Sequence, residues 1–148
     1  MRALILAFAL VACSGGEPAD TAVEAPASTQ TESAEAALAA LPNWGNAREA
    51  GVDFRAVGQE PGWILDIYQQ GRITLLWDYG ENRMEFPLPS PTYPQEGQTR
   101  YESEAGGHTL LVTTHRTPCE DVMSGEGYPA RVDVEIDGRS LHGCGRSV

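Results

Sequence analysis

The chain contains no lysine. Its positive charge rests on ten arginines against 21 acidic residues, and the formal charge at pH 7 is −11. The arginines are scattered and form no run, so there is no basic patch of the kind that displaces counterions from a phosphate backbone. Nucleic acid is therefore excluded as an expected partner. Anionic headgroups are repelled for the same reason, and a basic partner is attracted. Codon bias in a GC-rich genome is the simpler account of the missing lysine, ahead of selection for bidentate anion recognition. Long apolar runs are also missing. The longest spans residues 3–12, about half of what a membrane-spanning helix needs. Aromatics are 7% and cysteines three, with no C-x-x-C pair. Glycine (16) and proline (10) are plentiful, which favours turns over long helices.

The one apolar run has the length of a signal-peptide core, and Arg2 precedes it. It ends in Leu10-Val11-Ala12-Cys13, followed by Ser14. This resembles the bacterial lipobox. The resemblance implies cleavage before Cys13 and lipidation of its thiol with palmitate-type chains. Serine after the cysteine implies sorting to the outer membrane, with the domain in the periplasm. Several acyl chains anchor far more firmly than one. The expected organisation is a lipoprotein signal peptide over 1–12, lipidated Cys13 with an acidic flexible tether over 13–50, and a folded domain over 51–148. The tether is small, polar and acidic, too poor in apolar surface to order itself. Residues 34–41 (A-E-A-A-L-A-A-L) form at most two helical turns before Pro42.

The folded part reads as all-β. Period-two alternation runs through Trp63, Leu65 and Ile67, then Ile73, Leu75 and Trp77. It continues through Met84, Phe86 and Leu88, and later Val132, Val134 and Ile136. One face is expected to meet a core and the other water. Gln70-Gly71, Ala105-Gly106-Gly107 and Asp137-Gly138 mark hairpins. Glu60-Pro61-Gly62-Trp63 fits a type II turn with glycine at φ > 0. About eight strands are predicted, near 53–58, 63–69, 72–79, 83–88, 98–104, 108–116, 130–137 and 139–144. Their hairpin spacing predicts a small antiparallel barrel, lipocalin-like or similar, with a β-sandwich as the alternative.

Lipidation of Cys13 leaves Cys119 and Cys144, which are expected to form a disulfide in an exported protein rather than two free thiols. Two segments carry a resemblance. F-R-A-V-G-Q-E-P-G-W spans residues 54–63. C-E-D-V-M-S-G spans 119–125, with Y-P at 128–129 and L-H-G-C-G-R at 141–146. Together they resemble a family of uncharacterised bacterial lipoprotein-type periplasmic domains. That family pairs an F-R-A-x-G-x-E-P-x-W opening with a C-x-D-x-M-S-x-x-x-Y-P … G-C-G closing. The resemblance implies a β-rich domain and the same Cys119–Cys144 bridge, and no activity. Trp63 also resembles the tryptophan that plugs one end of lipocalin-type barrels, which implies Arg146 as the arginine stacked on it.

Chemistry-bearing residues do not assemble into a signature. His108, His115 and His142 show no metal-ligand spacing, so neither metal nor cofactor is expected. Ser124, His115 and Asp121 make a triad only on paper, without a G-x-S-x-G elbow. No catalytic residue is assigned. The loop holding Met123, Ser124, Gly125 and Tyr128 is the expected partner-binding element, because its glycines and Pro129 shape an excursion from a rigid scaffold. The chain is thus expected to be a non-enzymatic, lipid-anchored envelope lipoprotein. It would act as a binding module for a basic protein or a small apolar ligand, with no oligomeric state implied. Two alternatives stand beside this: an inhibitor of basic c-type lysozyme, and a structural or stress-response envelope lipoprotein. An apolar cavity would favour ligand binding and a protruding acidic loop inhibition. A filled barrel without a cleft would favour the structural class.

Overall fold

The computed structural model describes residues 28–39, 41 and 43–148. The signal peptide, Cys13 and much of the tether lie outside the described residues. Eight antiparallel strands build one sheet: β1 (Val52–Gln59), β2 (Gly62–Tyr68), β3 (Arg72–Trp77), β4 (Asn82–Pro87), β5 (Gln98–Ala105), β6 (His108–His115), β9 (Ala130–Ile136) and β10 (Arg139–Ser147). Their order is β4-β3-β2-β1-β10-β9-β6-β5. The sheet curls into a nearly closed barrel, so the sandwich alternative does not hold. The seam lies between β4 and β5, where the Ser103 hydroxyl donates to the Pro87 carbonyl at 2.7 Å. A two-stranded ribbon, β7 (Cys119–Glu120) with β8 (Gly127–Tyr128), stands apart from the barrel sheet and was not expected from the alternation. One helix, α1 (Ser28–Ala39), precedes the barrel and begins earlier than the helical turns read from the sequence.

The hairpins form where the turn residues stand. Gly71, Gly106, Gly107 and the Asp137-Gly138 pair all take positive φ, which lets each short loop follow the twist of its strands. The Glu60-Pro61 turn departs from expectation. Its peptide bond is cis, and Gly62 is not at positive φ. Glycine is needed there for space: a Cβ on Gly62 would lie 2.7 Å from the Tyr79 ring.

Thirteen buried side chains of one cluster fill the barrel, among them Trp63, Leu65, Ile73, Leu75, Phe86, Val112, Val134 and Leu141. The Trp63 ring reaches across β1 and β10 and donates its Nε1–H to the His142 carbonyl at 3.3 Å. It fits because its neighbours lack side chains. A Cβ on Gly58 would sit 2.0 Å from the indole nitrogen, and one on Gly143 would sit 2.1 Å from the Val57 oxygen.

The outward-facing rows were expected to meet water. On β1, β2 and β3 they do not. Val52, Asp66, Tyr68, Thr74 and Leu76 are all buried, and Arg55 is 3% exposed. A second layer covers them. Residues 43–51 form turns tied to the barrel by the Val52 N–H to the Ala47 carbonyl (2.9 Å) and the Gln69 N–H to the Gly51 carbonyl (3.0 Å). Ala47 is fully buried and packs with Val52 and Tyr68. Packed structure therefore extends upstream of residue 51, into residues 43–50.

Beneath this layer lies a cross-strand pair of opposite charges. Arg55 on β1 faces Asp66 on β2. The guanidinium binds the carboxylate through two parallel bonds, Nε–Oδ1 at 2.6 Å and Nη2–Oδ2 at 2.7 Å. Both residues are at most 3% exposed. Two short charge-assisted bonds with planar geometry are what make such burial tolerable.

A candidate ligand cleft on the outer wall of the barrel

Between the outer wall and its covering layer lies a cleft of about 480 Å³. Its floor is the outward row Val57, Ile64 and Leu76, contributed by β1, β2 and β3 in register. Trp44 and Tyr128, their rings 6.1 Å apart, and Tyr79 with Leu38 of α1 complete the apolar lining. Tyr79 is held at the rim in left-handed backbone geometry (φ 58°) within the 3-10 turn Asp78–Gly80. Arg139 braces that turn by bonding both oxygens of Asp78 at 2.8 and 2.7 Å. Gln59, Asp121, Ser124 and Glu126 supply the polar end.

The polar end is built by the 119–128 excursion, which the cysteines hold against the barrel. Cys119 and Cys144 lie at disulfide distance, their Cα atoms 5.5 Å apart. Inside the loop, Asp121 organises its neighbours. Its Oδ2 accepts from the Ser124 hydroxyl (2.5 Å), the Ser124 amide (3.2 Å) and the Gln59 side-chain amide (3.1 Å). Its backbone bonds Gly125 and Glu126. The Ser124 hydroxyl bond is the main cause of an Asp121 carboxyl held below the usual carboxylate range, against the opposing effect of burial. Asp121 is 7% exposed. No side chain among the described residues donates to its Oδ1, and no Arg or His there pairs with it.

Glu126 is arranged differently. It accepts from Arg146 Nη1 at 2.6 Å and from the Tyr128 hydroxyl at 3.0 Å. Arg146 in turn lies over the Trp44 ring, 4.3 Å from its centroid, and Arg55 lies 5.2 Å from the same ring. Burial, followed by the Glu126 carboxylate, pushes the Tyr128 phenol up.

The four loop residues picked from the sequence separate here. Ser124 and Tyr128 line the cleft, whereas Met123 and Gly125 do not. Met123 is 69% exposed at the loop tip beside Val122, at 90%. Tyr128 is 6% exposed, so it is a wall of the site rather than a free interface side chain. Arg146 makes the expected cation–π contact with a different tryptophan: it stacks on Trp44, not on Trp63. Trp44 escaped the sequence reading because it stands alone in a polar stretch between Pro42 and Gly45.

The histidines bond elsewhere. His115 Nε2 and His142 Nδ1 flank Asp133 at 2.7 and 2.8 Å, and His108 Nδ1 meets Asp137 at 2.6 Å. Ser124 and Asp121 are thus in contact while His115 is engaged on another part of the sheet. Among the described residues no group of three His, Cys, Asp or Glu side chains is arranged to hold a metal ion.

No protein-family model matches the chain, and no curated protein and no solved structure resembles it closely enough to count as a match.

Proposed function

We propose that the protein is a lipid-anchored envelope lipoprotein without catalytic activity, whose barrel is a binding module with its ligand site in the outer-wall cleft. The observation that carries this reading is the cleft itself. It is of small-ligand size, walled by aromatic and aliphatic side chains, with a few polar groups converging at one end. The barrel interior is packed, which supports a site on the outer wall rather than inside. The Ser124 hydroxyl is spent on Asp121, which supports a cleft ligand over insertion of this serine into a lysozyme. The anchor rests on the lipobox. Cys13→Ala is expected to abolish incorporation of labelled palmitate and leave the precursor uncut; a variant still labelled contradicts the anchor.

The cleft is tested with the full chain in nanodiscs and the neutral probe 4-phenylbutanol, titrated by calorimetry against empty discs. Ile64→Trp puts a large ring on the cleft floor without adding charge. Saturable binding to the wild type that is lost in Ile64→Trp supports the reading. Binding unaffected by that substitution places the site elsewhere, and no binding to either form removes the binding module.

A further inference from the structure

The cleft is more than apolar, and its charge is of one sign. Its lining contains two carboxylates and no basic residue. They differ in what neutralises them. Glu126 is paired with Arg146, at 2.6 Å. Asp121 has no cationic partner among the described residues, although it is 7% exposed. Its donors are all neutral: the Ser124 hydroxyl and amide and the Gln59 side-chain amide at Oδ2, and the Met123 backbone amide beside them. Neutral hydrogen bonds alone hold this carboxylate, whereas a charge with so little exposure is ordinarily also paired with an opposite one. Here the missing partner has room to arrive from the cleft.

From this we infer that the ligand is a small amphiphilic cation: an apolar, preferably aromatic, body carrying one positively charged nitrogen. The body lies on Val57, Ile64 and Leu76, between the rings of Trp44 and Tyr79. The nitrogen meets the Asp121 carboxylate. Three features agree with this assignment. The volume of about 480 Å³ suits a small molecule rather than a protein segment. The lining holds the rings of Trp44, Tyr79 and Tyr128, and aromatic rings attract cations as well as apolar groups, as Arg146 over Trp44 shows. The net charge of −11 raises the local concentration of any cation. The inference rests on the cleft being the ligand site.

Three probes with one tail separate the charge from the cleft: 4-phenylbutylamine, 4-phenylbutanol and 4-phenylbutyrate, each titrated against the full chain in nanodiscs. The wild type is expected to bind the amine at least about tenfold more tightly than the alcohol, and the carboxylate more weakly than either. A charge-assisted bond to a partly desolvated carboxylate accounts for a factor of that size. Raising the salt is expected to narrow the gap. Equal affinity for amine and alcohol overturns the inference and leaves the cleft reading intact. Failure of all three to bind removes the cleft reading itself. Asp121→Asn is expected to abolish the preference for the amine, bringing the two affinities together. An amine preference that survives in Asp121→Asn overturns the role of this carboxylate. Because the order of affinities in the wild type decides the matter alone, a poorly folded variant does not rescue the inference.

Discussion

Asp66→Ala will lower the unfolding free energy by about 3–5 kcal/mol, the largest effect expected of any single substitution described. The reason is asymmetry. Asp66 is fully buried, and its partner Arg55 is 3% exposed on the neighbouring strand. Removing the carboxylate leaves a buried guanidinium without its counter-charge and without both short bonds. Arg55 also touches the Trp44 ring at 5.2 Å, so movement toward water disturbs the layer that walls the cleft. Urea unfolding followed by tryptophan fluorescence measures the change. The double variant Arg55→Leu/Asp66→Leu is expected to recover much of the loss, since an apolar pair of similar volume removes both charges. A loss below about 1 kcal/mol in Asp66→Ala, the size of an exposed ion pair, contradicts the buried-pair account.

Opening the cysteine pair is the second large effect. Joining Cys119 to Cys144 closes a separation of 25 residues, and its loss is expected to cost about 2–5 kcal/mol. The unfolded chain gains freedom, and the native loop loses the tether that keeps β7 against β10. The consequence for the site is local. Asp121 and Ser124 lie two and five residues after Cys119 in the same loop, so the polar end of the cleft should loosen before the barrel does. Cys119→Ala/Cys144→Ala is expected to unfold at lower urea and to bind the amine probe more weakly while the barrel's amides remain protected from exchange. Peptide mass spectrometry of unreduced native protein checks the premise; two freely alkylatable thiols contradict it.

Much of the barrel is legible in the sequence, for a physical reason. Interior positions alternate with outward ones, so Trp63, Leu65, Ile67 and Ile73, Leu75, Trp77 mark their strands without knowledge of the fold. Turn chemistry at Gly71 and at Asp137-Gly138 then sets the register. The covering layer is harder to see. Alternation shows one buried face and is silent about what lies on the other. A signal was nevertheless present: Ile64, Tyr68 and Leu76 are large and apolar on the parity opposite to the interior, as expected of strands covered on both sides. The Arg55–Asp66 pair becomes visible only when the register is known, because a slip of one residue moves the two to opposite faces. The Gln59–Asp121 bond joins residues 62 apart and has no local signature. In the loop, packing decides which residues face the cleft, and composition carries no signal of that choice.

The central claim is that a ligand binds outside the barrel, and the three tryptophans report on it separately. Trp44 and Trp63 line the cleft, whereas Trp77 packs against the barrel core and does not. The direct measurement is the set of indole N–H resonances of the full chain, recorded while 4-phenylbutylamine is added. The account predicts that the Trp44 and Trp63 signals shift together and saturate while Trp77 stays in place. Shifts of Trp77 with Trp44 unmoved would put the ligand on the core side of the sheet and contradict it.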